Sequence, residues 1–419
     1  MNELKLMILD PGHFHAALLQ KEMYPDVSRL VSVYSPLGPE LIDYLNRVAQ
    51  FNNRAASPTS WELAVHTSDH SLEHMLHARP GNCVVLSGRN RSKIHQILQS
   101  VEAGLNVLAD KPWVIRLEDL PLVDKALEIA EKKGLVAFDI MTERFEITSI
   151  LQRLLVNGKA VFGEMQPGTA EQPAIYAKSV HHLMKMVAGT PLRRPVWFFD
   201  TDEYGEALSD VGTHVVDLVQ WTAFPDKILD YQRDIEMISA KHWPTEISAT
   251  GFLKVTGSES KDKANPLLYN CNNAVHYKLR GVHVKLDILW NWEAPEGTGD
   301  VYVASFQGTK ARIEIRQGKP ENYRPEVYVV PNSSDASAAL KQTVTGWQQA
   351  WPDIAIAEEN GEFRIQIPPQ YRVSHEAHFA QVANQFFKYL QSPISVPEWE
   401  RAGMMAKYYV STKAIEMSC

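Results

Sequence analysis

Between residues 5 and 140, short apolar runs alternate with amphipathic helical stretches, and that alternation admits few folds. Lys5–Leu9, Leu30–Tyr34, Cys83–Leu86, Leu105–Leu108 and Leu135–Ile140 read as strands, mostly apolar along their length as a sheet buried on both faces requires. Ala16, Ala17 and Leu18 open a helix after the first strand. After Cys83–Leu86, residues Ile94, Ile97, Leu98 and Val101 fall at i, i+3, i+4 and i+7, one stripe of a second helix. Gly104 follows where a C-terminal cap belongs. Leu120, Val123, Leu127 and Ala130 repeat the stripe, and Gly134 stops it. Strand–helix–strand units of this kind build a parallel sheet. The expectation is an α/β Rossmann domain over residues 1–141.

Residues 142–419 change character. Val275, Tyr277 and Leu279 alternate with polar residues, and after Arg280-Gly281 the phase flips to Val282, Val284, Leu286, Ile288, Trp290 and Trp292. That is a hairpin with a period of two. A second pair, Val301–Phe306 and Ala311–Arg316, is joined by Gln307-Gly308-Thr309. Consecutive hairpins predict an α+β domain over 142–419 with a mainly antiparallel open sheet, one face left for a ligand or a second subunit. Pro195–Asp200 reads as a further strand, and 332–362 as a polar, irregular surface insertion. His375–Leu390 reads as a helix with Phe379, Val382, Ala383, Phe386 and Leu390 on one face, free to pack back on the first domain. His375, Glu376 and His378 at its start read as cap and surface groups.

A net charge of −8 argues against a nucleic-acid or anionic-membrane partner. No apolar run approaches the roughly 20 residues of a membrane helix. Cys83, Cys271 and Cys419 are too few and too scattered for a disulfide framework or a zinc ligand set. A reducing, cytoplasmic setting is expected.

Chemistry concentrates in two places. The first is Asp110-Lys111-Pro112, at the end of the strand Leu105–Leu108. Pro112 removes a backbone donor and restricts its predecessor to extended geometry, which holds the Lys111 ammonium at the carboxyl edge of the sheet, where α/β folds bind ligands. The first turn, Asp10-Pro11-Gly12-His13-Phe14-His15, keeps only the middle glycine of the G-x-G-x-x-G dinucleotide fingerprint. The second strand ends Val33-Tyr34-Ser35-Pro36, with no carboxylate for a ribose 2′-hydroxyl, so NAD and NADP are not distinguished. His13 and His15 also form an H-x-H pair of the kind that opens metal-dependent hydrolase barrels. Asp200, His214 and Lys111 do not complete such a series, and no metal is expected.

The second place is Asp210-Val-Gly212-Thr-His214-Val-Val-Asp217. As a helix it sets Asp210, His214, Asp217 and Trp221 on one face, opposite Val211, Val215, Leu218 and Thr222. Imidazole titrates near neutrality, so His214 tuned by Asp210 reads as a general acid–base. The alternative is a structural histidine with solvated carboxylates.

Three blocks together resemble the glucose–fructose oxidoreductase, inositol dehydrogenase and MocA family, in a subgroup with an extended oxidoreductase-type C-terminal domain. They are Ser87-Gly88-Arg89-Asn90, Gly104 to Asp110-Lys111-Pro112 with Asp for the family's Glu, and the Asp210–Asp217 helix start. The resemblance implies NAD or NADP bound by Gly12, His13, Phe14, His15, Ser35, Ser87, Gly88, Asn90, Asp110, Lys111 and Pro112. It implies hydride transfer between the nicotinamide and a carbinol carbon of a sugar, glycoside or cyclitol, with Lys111, His214 and Asp210 catalytic. Glu143, Arg144, His181, His182, Trp197, Asp200, Tyr204 and Asp217 are the candidate substrate contacts, with Trp113 a further candidate for stacking on a sugar. A homo-oligomer through the C-terminal sheet is also implied. The alternatives on the same scaffold are a redox-neutral, NAD-dependent glycosidase or lyase and a non-catalytic sugar or nucleotide sensor.

Overall fold

A computed structural model describes residues 3–418 apart from 188, 189 and 192, so Cys419 lies outside the described residues. The chain divides into two compact units. The first comprises Met1–Thr142, Asp202–Gly205 and Ser374–Arg401, and the second Glu143–Thr201, Glu206–Val373 and Ala402–Cys419.

The first unit is built on six strands: β1 (Leu6–Leu9), β2 (Leu30–Ser35), β3 (Glu62–Thr67), β4 (Cys83–Leu86), β5 (Asn106–Ala109) and β6 (Ala137–Asp139). Their order is β3-β2-β1-β4-β5-β6, every neighbouring pair parallel. The apolar runs β1 and β4 are buried throughout, as a sheet covered on both faces requires. β3 was not foreseen, because an edge strand needs no continuous apolar run and this one is largely exposed. The helix Lys93–Glu102 buries the expected stripe of Ile94, Ile97, Leu98 and Val101. Gly104 follows at φ +84°, the left-handed geometry of a helix end. The helix expected after β1 is a single turn, His15–Leu18, continued as a 3-10 turn, Leu19–Lys21. The helix His375–Gln391 buries Phe379, Val382, Ala383 and Phe386; its Tyr389 ring packs on Phe138 and its Phe387 ring on Tyr24.

The second unit carries a nine-stranded sheet: β7 (Ile175–Met184), β10 (Ile235–Ile247), β11 (Leu267–Leu279), β12 (Val282–Glu293), β13 (Val301–Gln307), β14 (Ala311–Gln317), β15 (Glu326–Pro331), β16 (Ala355–Glu359) and β17 (Glu362–Gln366). Two-residue strands β8 (Met186–Val187) and β9 (Thr190–Pro191) pair separately. The order is β10-β11-β12-β7-β13-β14-β15-β17-β16, antiparallel except where β12 meets β7. The predicted alternation holds in β12, which buries Val282, Val284, Leu286, Ile288 and Trp290. Helix Ile147–Asn157 lies on this sheet, with Gln152 Nε2 donating to the Ala304 carbonyl at 2.9 Å.

Two expectations are corrected. Pro195–Asp200 is no strand but a 3-10 turn, Val196–Phe199, which packs Phe198 and Phe199 on Tyr269 instead of pairing with a neighbour. The stretch 332–362 is an integral part of the second unit. The helix Ser334–Trp347 buries Ala336, Leu340 and Val344, and β16 with β17 completes the sheet's edge. Its three apolar positions, spaced by four, are diluted by Ser, Thr, Gln and Asp, which hid the helical stripe. No described helix is long and apolar enough to cross a membrane.

Candidate functional site

The register of the parallel sheet assembles the site in the first unit. Leu9 lies opposite both Tyr34 and Leu86, and Leu86 opposite Ala109. The next residues, Asp10, Ser35, Ser87 and Asp110, therefore emerge together at the carboxyl edge. The break in strand order falls between β1 and β4, the switch point where such sheets bind ligands.

Asp110 is the hub. Its Oδ2 is 2.9 Å from His15 Nδ1 and 3.2 Å from His13 Nδ1, and accepts the Ser87 hydroxyl at 3.1 Å. Its Oδ1 is buried and has no hydrogen-bond partner among the described residues. Burial would raise the Asp110 carboxyl, but the adjacent His15 and His13 outweigh it and hold the group well below the usual range. Burial pushes the His15 imidazole down to about 3, against the opposing pull of Asp110, so His15 is neutral and Asp110 ionised near neutral pH. Lys93, buried in its helix, donates to Asn90 Oδ1 at 2.6 Å and to the Asp110 carbonyl at 3.0 Å. Asn90 in turn donates to the Tyr204 carbonyl at 2.6 Å.

The turns on this edge are closely packed. His13 N–H donates to the Ser87 carbonyl at 2.8 Å. A Cβ on Gly88 would come within 2.4 Å of the Asp10 carbonyl oxygen, so only glycine fits there. Asp10 occupies the first glycine position of the fingerprint and takes φ +47°, the left-handed conformation that glycine provides elsewhere. Ser35 is buried at the end of β2. The convergence of these turns at the switch point fits a dinucleotide, held by Gly12, His13, Phe14, His15, Ser35, Ser87, Gly88 and Asn90. Asp110, Lys111 and Pro112 close the same edge, and Lys111 is buried.

His375, expected as a cap or surface group, is exposed at the first residue of its helix, with its ring 5.8 Å from that of His15 and Nε2 at 3.5 Å from Thr142 Oγ1. Glu376 pairs with Lys21, and His378 is buried, its imidazole pushed down to about 4 by burial. Trp113 is wholly buried and donates to the Ala109 carbonyl, so it is core and not a sugar platform.

In the second unit, Asp210 stands at the N-cap position of the helix Val211–Ala223 without a side-chain capping bond and is buried, while His214 sits half-buried in the first turn. Asp217 belongs elsewhere. Arg144 holds it through two bonds, Nε at 2.6 Å and Nη2 at 2.7 Å, and Lys407 Nζ adds a third at 2.9 Å. Arg144 and Asp217, both candidate substrate contacts, are thus joined with Lys407 in a buried charge network. The signal that was missed is Lys407 itself, a lone cation among Met404, Met405, Ala406 and Tyr408.

His181 and His182 both approach Asp300, at 3.1 and 3.3 Å, and Lys185 joins them at 2.6 Å. Glu143 is half-buried, Trp197 and Tyr204 are buried, and Asp200 is exposed after its 3-10 turn. Tyr204 belongs to the first unit, the others to the second.

Residues 151–419 match the family model described as "Putative oxidoreductase C terminal domain". Among solved structures, a "putative oxidoreductase from Parabacteroides merdae ATCC 43184" is 43% identical over 100% of this chain and 98% of that one, with a TM-score of 0.96. Levoglucosan dehydrogenase in complex with NADH and levoglucosan is 13% identical over 99% of this chain and 98% of that one, with a TM-score of 0.62. GenD2 from gentamicin A biosynthesis, in complex with NAD, is 14% identical over 99% and 95%, with a TM-score of 0.57. The last two show likeness of fold alone. No curated protein matches the chain.

Proposed function

This chain belongs to the oxidoreductase family defined by that C-terminal domain, and from that membership we propose that it is an NAD- or NADP-dependent oxidoreductase acting on a CH–OH group of a sugar, glycoside or cyclitol. The observation that carries the reading is the Asp110-Lys111-Pro112 edge beside the switch point of a six-stranded parallel sheet. The nicotinamide complexes of the similarly folded levoglucosan dehydrogenase and GenD2 support it, and the first of them acts as a model for the substrate class.

Bound nicotinamide would supply the hydride acceptor. The chain's own residues would then do the rest. Lys111, buried at this edge, stabilises the alkoxide that develops as the hydroxyl proton leaves, before the carbon gives up its hydride. His214 takes the hydroxyl proton, and Asp210, one turn earlier, orients its ring. Lys93, steadied by Asn90, donates to the Asp110 carbonyl and so helps fix where Lys111 begins.

The test is incubation of the full-length chain with NAD⁺ or NADP⁺ and a panel of sugars, glycosides and cyclitols, following reduced nicotinamide and product together. Net reduction with an oxidised product is the expected result. Product without net reduction would replace this reading by the redox-neutral one. Binding of a sugar without any turnover would replace it by the sensor.

A further inference from the structure

We propose that His13, His15 and Asp110 form a binding site for one divalent first-row metal ion, with Zn²⁺ the best-suited occupant. The proposal goes beyond the nicotinamide reading, in which His13, His15 and Asp110 belong to the turns and edge that hold the dinucleotide, and gives their side chains a further task. Both imidazoles turn the same nitrogen, Nδ1, toward the same carboxylate, and the ligand atoms of all three residues lie within 4.8 Å of one another. Two histidines and a carboxylate on one side of a point are a familiar donor set for zinc and for non-haem iron.

The separations match a coordination sphere. Donors about 2.0–2.1 Å from a metal lie roughly 2.9–3.4 Å apart when adjacent and about 4.2 Å apart when opposite. His15 Nδ1 and His13 Nδ1 stand 2.9 and 3.2 Å from Asp110 Oδ2, in the range of adjacent donors, and all three donors lie within 4.8 Å of one another.

A purely structural hydrogen-bond hub explains the cluster less well. Oδ2 is crowded by three partners, while Oδ1, equally buried, has none. Leaving a carboxylate oxygen buried and unpartnered is costly, and a metal taken by both oxygens of the carboxylate, Oδ1 included, relieves it. Each imidazole would bind through the Nδ1 lone pair, with its proton on Nε2. Ser87 Oγ, 3.1 Å from Oδ2, then serves as the hydrogen-bond partner that orients the carboxylate. His13 is the least buried of the three, so the sphere opens on its side, where water or an oxygen ligand completes it.

The neighbouring cation does not occupy the place. Lys93 Nζ addresses the Asp110 main-chain carbonyl and Asn90, not the carboxylate.

The experiment is calorimetric titration of Zn²⁺ into the untagged, chelator-stripped full-length chain without nucleotide, so that its outcome is independent of the nicotinamide reading. One equivalent should bind per chain, and Co²⁺ in its place should give the visible absorption of a nitrogen- and oxygen-ligated site. His13→Ala and His15→Ala should each lose the equivalent, whereas His70→Ala, at an exposed histidine, keeps it. Circular dichroism checks folding, and if His15→Ala does not fold, the part-exposed His13→Ala decides. Absence of binding by the parent chain, or a full equivalent retained in folded His13→Ala, overturns the proposal.

Discussion

Single residues carry the chemistry, and two of them can be weighed directly. If Lys111 stabilises the developing alkoxide, Lys111→Ala lowers kcat by about 10²–10³-fold, the usual cost of one oxyanion-stabilising donor. If His214 moves the proton, His214→Ala costs about 10²–10⁴-fold, and the pH profile of kcat loses the limb that the general base contributes. Steady-state rates near the parent value in both variants, with folding intact, would remove these roles. Asp217 makes the opposite kind of case. It lies 1% exposed between Arg144 and a Lys407 whose side chain is fully buried, so removing one charge strands the others. Lys407→Met should cost about 3–5 kcal/mol in urea unfolding while leaving nucleotide affinity unchanged. Sequence periodicity set Asp217 beside His214 on one helical face. Which carboxylate meets substrate and which meets a buried cation depends on partners about 70 and 190 residues away, and no local pattern records them.

At the level of elements, legibility followed burial. β1, β4 and the helix Lys93–Glu102 were readable because each must present an unbroken apolar face to a two-sided core. The hairpin of β11 and β12 was readable because a period of two holds on both sides of its turn, from Val275 to Leu279 and from Val282 to Trp290. β3 and the β16–β17 edge were not, since edge strands bury one flank at most and tolerate charge. Likewise, the H-x-H pair was visible in sequence, but its third partner was not. Asp110 reaches it only because parallel register aligns the ends of β1, β4 and β5. The helix Ser334–Trp347 offers a direct check of how far the polar stretch is structural. Leu340 is wholly buried there, so Leu340→Ala should cost about 2–5 kcal/mol in denaturant unfolding. A change under about 0.5 kcal/mol would return this segment to the status of a surface insertion.

For the molecule as a whole, the buried titratable groups predict an ordered loss of stability in acid. His15 and His378 belong to the first unit, and burial lowers their imidazoles to about 3 and about 4. An unfolded histidine takes up its proton near pH 6.5, well before either folded one does. The unfolded state therefore binds more protons between pH 6.5 and about 4, and stability falls as pH falls through that window. In the second unit the described carboxylates Asp217 and Asp300 are held low. Burial opposes this, but Arg144 and Lys407 prevail at the first, His181 and Lys185 at the second. Their contribution is complete above the unfolded carboxyl value, near pH 4, and is lost only below it. The first unit should thus loosen near pH 5 while the second stays protected. Hydrogen exchange resolved by peptide, corrected for intrinsic rates, reads this directly: peptides from β4 and β5 lose protection at pH 5, and those from β11 and β12 hold it to about pH 4. His378→Leu removes one of the two histidines without leaving a cavity of its size. It should restore about 2 kcal/mol to the first unit at pH 5 relative to the parent, because pH 5 lies about 1.5 units below the unfolded histidine value. Equal and simultaneous loss of protection in both units would show that the buried histidines do not control acid stability.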